Sequence, residues 1–105
     1  FVALDAGNLH PVCELLRELY PSAPLLICAD DDYRTAGNPG RDKAHRTAKA
    51  VDNCRYTWPV FMRGRRGPKD TDFNDLHARE GLHVVRRQLR HLMPVLGSEL
   101  LNAAA

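Results

Sequence analysis

The side chains best suited to chemistry in this 105-residue chain are three consecutive carboxylates, Asp30, Asp31 and Asp32. They close the apolar run Leu25-Leu26-Ile27-Cys28-Ala29. Two carboxylates about 5 Å apart repel by roughly 1 kcal/mol in bulk water and by about 3 kcal/mol at an effective dielectric near 20. Protonating one acid, or binding a cation, relieves that repulsion. Along an extended backbone Asp30 and Asp32 point to one side and Asp31 to the other. Oxygen ligands paired this way suit a hard cation. Mg²⁺ in particular takes one or two carboxylates and completes its shell with waters and substrate phosphates. The competing role is a solvated acidic turn, since Asp is a common turn residue. The triplet alone leaves both open.

A second acidic cluster follows in Asp70-Thr71-Asp72-Phe73-Asn74-Asp75-Leu76. Asp72 or Thr71 is placed to start a short helix that ends at Gly81, with Asp72 and Asp75 three apart on one face. N-terminal capping, favoured by the helix dipole, accounts comfortably for one of these acids but not for three and an Asn. Between the clusters runs Arg63-Gly64-Arg65-Arg66-Gly67-Pro68-Lys69. Its four positive charges, spaced by Gly and Pro, predict a loop that does not pack. Its chemistry would be sequence-blind contact with a phosphate backbone, or simple solvation.

These residues need elements to hold them. The apolar run before Asp30 reads as a central strand buried on both faces, the kind found in parallel sheets. Ligands of such sheets lie beyond the carboxyl ends of the strands, where the first acid cluster falls. Phe1-Val2-Ala3-Leu4 reads as an earlier strand. Asn8 is a candidate N-cap for a helix over about residues 9–20, with Val12, Cys13, Leu16 and Leu19 facing inward. Pro11 is tolerated in its first turn. Strand, helix and strand together predict a βαβ unit.

Tyr33 to Gly40 is rich in breakers and reads as a loop. Asp42 is a candidate cap for a helix to about Val51, lined inside by Ala44, Ala48 and Val51. Lys43, His45, Arg46 and Lys49 make the rest of that helix basic. Cys54 to Trp58 reads as a further strand, ended by Pro59. A last helix is expected from about Leu82 to Leu92, with Leu82, Val85, Leu89 and Leu92 inward and Arg86, Arg87, Arg90 and His91 outward. Pro94 ends or kinks it, and the last alanines are expected to fray.

Composition bounds the rest. The length suits one domain with a real core, and 44% hydrophobic with 27% charged residues is ordinary for a globular chain. A net charge of +2 does not by itself argue for nucleic acid. No apolar run approaches the ~20 residues of a membrane helix, and the first residues lack the features of a signal peptide. Cys13, Cys28 and Cys54 are odd in number and lack CxxC spacing. They read as small hydrophobes in a reducing, cytoplasmic setting. The five His are scattered without ligand spacing.

Taken in order, a strand ending in Asp-x-Asp, a Gly-containing loop, an Ala-rich helix and then Asp-x-Asn-Asp-Leu resemble the Toprim domain of bacterial-type primases, topoisomerases and some nucleases. The likeness is greatest to primases of plasmids, phages and integrated elements, and extends from Phe1 to about Leu89. Ala3-Leu4-Asp5-Ala6-Gly7-Asn8-Leu9 is similar to their second strand and following helix start. Ala29-Asp30-Asp31-Asp32 with Gly37-Asn38-Pro39-Gly40 and Lys43-Ala44 is similar to their acidic motif and its loop. Thr71-Asp72-Phe73-Asn74-Asp75-Leu76, with Gly81 beyond, is similar to their third motif.

The resemblance implies an α/β, Toprim-like (Rossmann-like) three-layer fold, a mainly parallel sheet flanked by helices. Residues 1–93 would form a partial Toprim domain and 94–105 a C-terminal tail. It implies Asp30 and Asp32 as catalytic, metal-binding acids, and Asp72 and Asp75 as supporting metal ligands. The cofactor would be Mg²⁺ or Mn²⁺, and the reaction nucleotidyl transfer making an RNA primer for DNA replication. The partners would be a single-stranded DNA template, nucleoside triphosphates and a helicase domain or subunit, with no membrane involved. Arg34, Lys43, Arg63, Arg65, Arg66 and Lys69 would contact nucleic acid or phosphate. Toprim domains also carry a Glu, usually before Gly, at the end of an earlier first strand. Glu14 and Glu18 lie on a helix and do not match it. The resemblance therefore implies a fragment with its first strand missing, truncated at the N-terminus and inactive alone. Two other readings stand beside it: a Toprim nuclease or topoisomerase subunit, and a non-catalytic nucleic-acid-binding or interaction module.

Overall fold

In the computed structural model, residues 8–90 and Leu92 are described. The strand expected at Phe1–Leu4, the boundary expected at 93/94 and the tail lie outside the described residues. The described chain forms two compact units that part between Trp58 and Pro59.

The first unit contains α1 (Leu9–Leu19), β1 (Leu25–Cys28), α2 (Pro39–Ala50) and β2 (Cys54–Thr57). β1 and β2 pair in parallel, Leu25 against Cys54 through Cys28 against Thr57. The ladder continues past β1 through the Ala29 N–H, which donates to the Thr57 carbonyl at 2.7 Å. Two parallel strands need a crossover, and α2 supplies it, packing against β2 while α1 packs against α2. This is a mixed α/β unit, a small parallel two-stranded sheet flanked by helices.

The core collects Leu9 and Cys13 from α1, Leu25, Ile27 and Ala29 from β1 and its end, and Ala44 and Val51 from α2 and its end. Leu26, on the other pleat face of β1, is buried as well. Both faces of the strand are thus covered, as its unbroken apolar run predicts. Each large aliphatic side chain buried here contributes about 1.5–3 kcal/mol relative to exposure. Ala44 and Thr47 are almost fully buried on α2, and small side chains at those positions let the helix lie close.

Three expectations for this unit change. Asn8 occupies the N-cap position of α1, but its side chain makes no capping hydrogen bond. Leu19 is 60% exposed. The buried stripe of α1 is phased on Leu9 and Cys13 with Leu16 beside them, which leaves Leu19 at its edge. The helix expected to begin at Asp42 begins at Pro39, capped by Asn38 in a left-handed conformation. Pro is well suited to a first helical position because its missing N–H would be unpaired there anyway. Asp42 pairs instead with Arg46 at 3.1 Å.

One side chain the sequence did not single out ties this unit together. Arg17, near the end of α1, donates Nε to the Asp52 carbonyl at 2.9 Å and Nη2 to the Asn53 carbonyl at 3.2 Å. Its Nη1 reaches the Tyr20 and Pro21 carbonyls at 2.8 and 3.2 Å. It so joins the carbonyls left open at the end of α1 to the turn that feeds β2.

The second unit contains α3 (Phe73–Glu80) and α4 (Leu82–Arg90), which pack together. Leu76, Pro59 and Val84 are buried. The segment leading in from Pro59 is held by side chains of the helices. The Val60 N–H donates to Gln88 Oε1 at 3.0 Å, and Gln88 Nε2 donates back to the Val60 carbonyl at 2.7 Å. The Met62 N–H donates to Glu80 Oε2 at 2.8 Å. Gly81 turns the chain between α3 and α4 at φ +94°, a conformation that favours glycine.

The inner stripe of α4 also differs from expectation. Val84 is 5% exposed, whereas Leu82 is 48% exposed. Adjacent valines at 84 and 85 permit either phase, and the Gln88–Val60 pair selects the one that turns Val84 and Gln88 inward, four residues apart. Among the described residues no helix is long and apolar enough to cross a membrane.

Candidate functional site

The first acid cluster lies just past the carboxyl end of β1, in the turn leading to α2, and one amide organises it. Asn38 Oδ1 accepts from the Asp32 N–H at 2.8 Å and from the Arg41 N–H at 3.4 Å. Asn38 Nδ2 donates to Asp31 Oδ1 at 2.7 Å. A single side chain thereby caps α2 and fixes the backbone of the acid triplet. The Asp32 carbonyl accepts from the Thr35 N–H, and the Thr35 carbonyl from the Asn38 N–H, closing the loop between.

The three acids diverge. Asp31 is buried at 6% exposure; besides Asn38 it faces Arg41, whose Nη1 lies 3.7 Å from its Oδ1. That guanidinium also lies 3.7 Å from the centroid of the Trp58 ring. Trp58 packs on Tyr56, and Tyr56 meets His45 edge-on, with the Tyr56 hydroxyl and His45 Nδ1 hydrogen-bonded at 3.1 Å. Asp31 is therefore a paired anchor, buried where Asp30 is exposed.

Asp32 is half-buried and takes the Gly40 N–H on Oδ2 at 2.8 Å, at the first turn of α2. A helix N-terminus favours negative charge there. Among the described residues its Oδ1 takes no hydrogen bond. Asp30 is exposed. The approach between this loop and α2 is close: a Cβ on Gly40 would lie 2.6 Å from the Asp30 carbonyl oxygen and 2.8 Å from Asp32 Oδ2. Glycine is required at that position.

The second cluster is the start of α3. The Asp75 N–H donates to Asp72 Oδ1 at 2.8 Å. Asp75 Oδ2 accepts from the Thr71 and Asp72 N–H groups at 2.8 and 3.2 Å, a complete capping box. The hydrogen bond from Thr71, more than any other influence, holds the Asp75 carboxyl below its ordinary range. Asp70 is buried and accepts from the Gly67 N–H and from Arg79 Nε, both at 2.7 Å. Capping and pairing thus engage all three acids, more than capping was expected to explain.

The basic loop is less open than its composition predicts. Arg66 Nε donates to the Asp70 carbonyl at 2.9 Å, and its guanidinium lies 4.8 Å from the Phe61 ring centroid. Arg63, Arg65 and Lys69 are exposed, as are Arg34 and Lys43 in the first unit. Of the six basic residues singled out by sequence, Arg66 alone is drawn into the fold.

Sequence reasoning missed Asn38 as organiser and Arg41 as the partner of Asp31. Asn followed by Pro and Gly after an acid triplet was the available signal, because an N-cap before Pro at the first helical position marks a helix start. Cys28 and Cys54 are pushed by burial up to about 11, and burial raises Cys13 too. None of these thiols is a ready nucleophile. Among the described residues no three His, Cys, Asp or Glu side chains gather into a group that could hold a metal ion. Asp30 and Asp32 belong to the first unit, Asp72 and Asp75 to the second.

Fold and site together define a mixed α/β chain with an acidic turn at the carboxyl end of a parallel strand, placed against the start of the crossover helix. The chain is similar to DNA primase TraC of Escherichia coli, with 38% identity over 91 residues, covering 81% of this chain and 8% of that protein. A second DNA primase TraC of Escherichia coli is 38% identical over 63 residues, covering 56% of this chain and 4% of its own length. The chain thus spans less than a tenth of the relatives it matches. No protein-family profile and no solved structure matches it.

Proposed function

We propose that this chain is a Toprim-type module of a DNA primase, in which Asp30 and Asp32 hold a divalent metal ion for RNA primer synthesis. The observation that carries this is the 38% identity to a DNA primase over 81% of the chain. A continuous match of that extent must span the middle of the sequence, and so takes in the acids at 30–32 and 70–75. The donor set fits a hard cation. Carboxylates two residues apart in an acidic turn, with Asp32 Oδ1 accepting no hydrogen bond among the described residues, suit Mg²⁺ or Mn²⁺ when waters and substrate phosphates complete the shell. A bound ion would offset the charge of nucleotide phosphates and of the leaving pyrophosphate.

The chain's own residues do the positioning. Asn38 holds the turn, Arg41 pairs with Asp31, and the Gly40 N–H orients Asp32. Asp72 and Asp75 support the fold of α3 in this reading, with a ligand role secondary. Arg34, Lys43, Arg63, Arg65 and Lys69 would steer a single-stranded DNA template and nucleoside triphosphates. Because the chain spans 8% of the primase it matches, primer synthesis would belong to a larger protein, with a helicase domain or subunit as a further partner.

Paramagnetic broadening by Mn²⁺ in NMR spectra of the chain tests this. Amide signals at residues 30–32 and 38–41 should broaden selectively, and Asp30→Asn or Asp32→Asn should abolish the selectivity with the fold intact. Uniform or absent broadening up to tens of millimolar Mn²⁺ would remove the metal site.

A further inference from the structure

Helix α4 carries His83, Arg86, Arg87 and Arg90 at the spacing i, i+3, i+4, i+7, which places them on one face. Together they line a cavity of about 400 Å³. The helix is held to its own unit by other side chains, the buried Val84 and the Gln88 amide paired with Val60. Among the described residues, Arg86, Arg87 and Arg90 make no ion pair or hydrogen bond. Several other arginines are engaged: Arg17 by four carbonyls, Arg41 by Asp31 and Trp58, Arg46 by Asp42, Arg66 by Asp70, and Arg79 by Asp70. Like charges three and four apart on a helix repel and destabilise it. The α4 stripe bears that cost with no return from hydrogen bonds or ion pairs among the described residues.

Building on the primase reading above, we propose that His83, Arg86, Arg87 and Arg90 form a track for the phosphate backbone of single-stranded nucleic acid. Arginine presents a planar fork that engages phosphate oxygens bidentately, and the three strong cations of the stripe are all arginine. The stripe runs about 10 Å along the helix axis, long enough for more than one phosphate. No aromatic residue accompanies it on α4. The track therefore holds the backbone and leaves the bases unread, as a template that must be copied in any sequence requires.

The test is fluorescence anisotropy of a labelled oligothymidylate with the 105-residue chain, in EDTA, across a salt series. The triple variant Arg86→Ala/Arg87→Ala/Arg90→Ala should lower the slope of log affinity against log salt by about 2 and weaken binding on the order of a hundredfold near 0.1 M salt. Replacing the same three by Lys should preserve most of the slope. Should the alanine variant lose its circular dichroism spectrum, Arg87→Gln and Arg90→Gln, both at exposed positions, each serve in its place with a slope change of about 0.7. An unchanged slope in the variants, no oligonucleotide binding by the parent chain, or equally tight binding of polyglutamate would each overturn the track. Metal is absent from this assay, so the two proposals separate. An unmoved slope beside selective Mn²⁺ broadening removes the track alone, and a falling slope without that broadening removes the metal site alone.

Discussion

Two acidic clusters of similar composition open two helices, and they differ in what caps the helix. At α3 the acids themselves are the cap: Asp72 and Asp75 satisfy the first-turn amides reciprocally, and the network closes on itself. At α2 the cap is an amide, Asn38. With the amide capping, Asp31 is paired with Arg41 and, among the described residues, the Asp32 carboxylate meets only the Gly40 N–H. An acid that takes a single first-turn amide, as Asp32 takes the Gly40 N–H, is less committed to the fold than acids closed into a reciprocal capping box. That distinction separates a candidate metal site from a structural one better than counting carboxylates does.

The largest effect expected is at the amide. Asn38→Ala removes acceptors for two backbone N–H groups and the donor to buried Asp31, in a left-handed conformation (φ +43°) that Asn tolerates better than Ala. Loss of a cap costs about 1 kcal/mol and an unpaired buried polar group about 1–3 kcal/mol. Asn38→Ala should therefore destabilise the chain by about 3 kcal/mol in urea unfolding and abolish Mn²⁺ selectivity as well. A loss below about 1 kcal/mol would show that the acids hold the turn without it, and the contrast between the clusters would fall.

A smaller effect sharpens the same contrast. Asp72→Ala removes a capping acid and should cost about 1 kcal/mol, leaving Mn²⁺ broadening at residues 30–32 in place. Asp32→Asn keeps an oxygen for the Gly40 N–H and should change stability by no more than about 0.5 kcal/mol while removing the broadening. Paired urea melts and Mn²⁺ titrations of the two variants would read both quantities. Equal stability losses would place Asp32 among the structural acids.

Much of this was legible from residue order alone, and the failures share a cause. The apolar run of β1 announced a strand covered on both faces, and the acids at its end fell where a parallel sheet presents ligands. The second strand and the start of α3, expected at Asp72 or Thr71 and found at Asp72, were legible for similar reasons: β-forming residues bounded by Pro, and an acidic cluster before a short helix. Local pattern failed where a distant partner decides. Gln88 sets the phase of α4 through Val60, twenty-eight residues away. Arg17 reaches carbonyls thirty-five and thirty-six residues on. Arg66, in a stretch whose composition reads as solvated loop, is captured by the Asp70 carbonyl and the Phe61 ring. Asn38 failed differently: its signal was local, but an acid further along, Asp42, was the more familiar cap.

The smallest effect lies in the pH response of the closed network. Asp75 is held below its ordinary pKa chiefly by the hydrogen bond from the Thr71 N–H. Its folded value is thus depressed relative to an unfolded value of about 3.9. For a group shifted in that direction, the stabilisation is fully present above the unfolded pKa and is lost as pH falls through the folded one. Above about pH 5 the capping box should therefore be insensitive to pH. The Thr71 and Asp72 amide proton shifts should titrate together, with a midpoint below the usual carboxylate range, because both donate to the same oxygen. Asp72→Ala removes one contribution to that shift, while the Thr71 bond, the largest, remains; the midpoint should rise yet stay depressed. An Asp75 midpoint at or above the ordinary value in the parent chain would mean that the box is open in solution. The acids of α3 would then be as available to a cation as those beside β1.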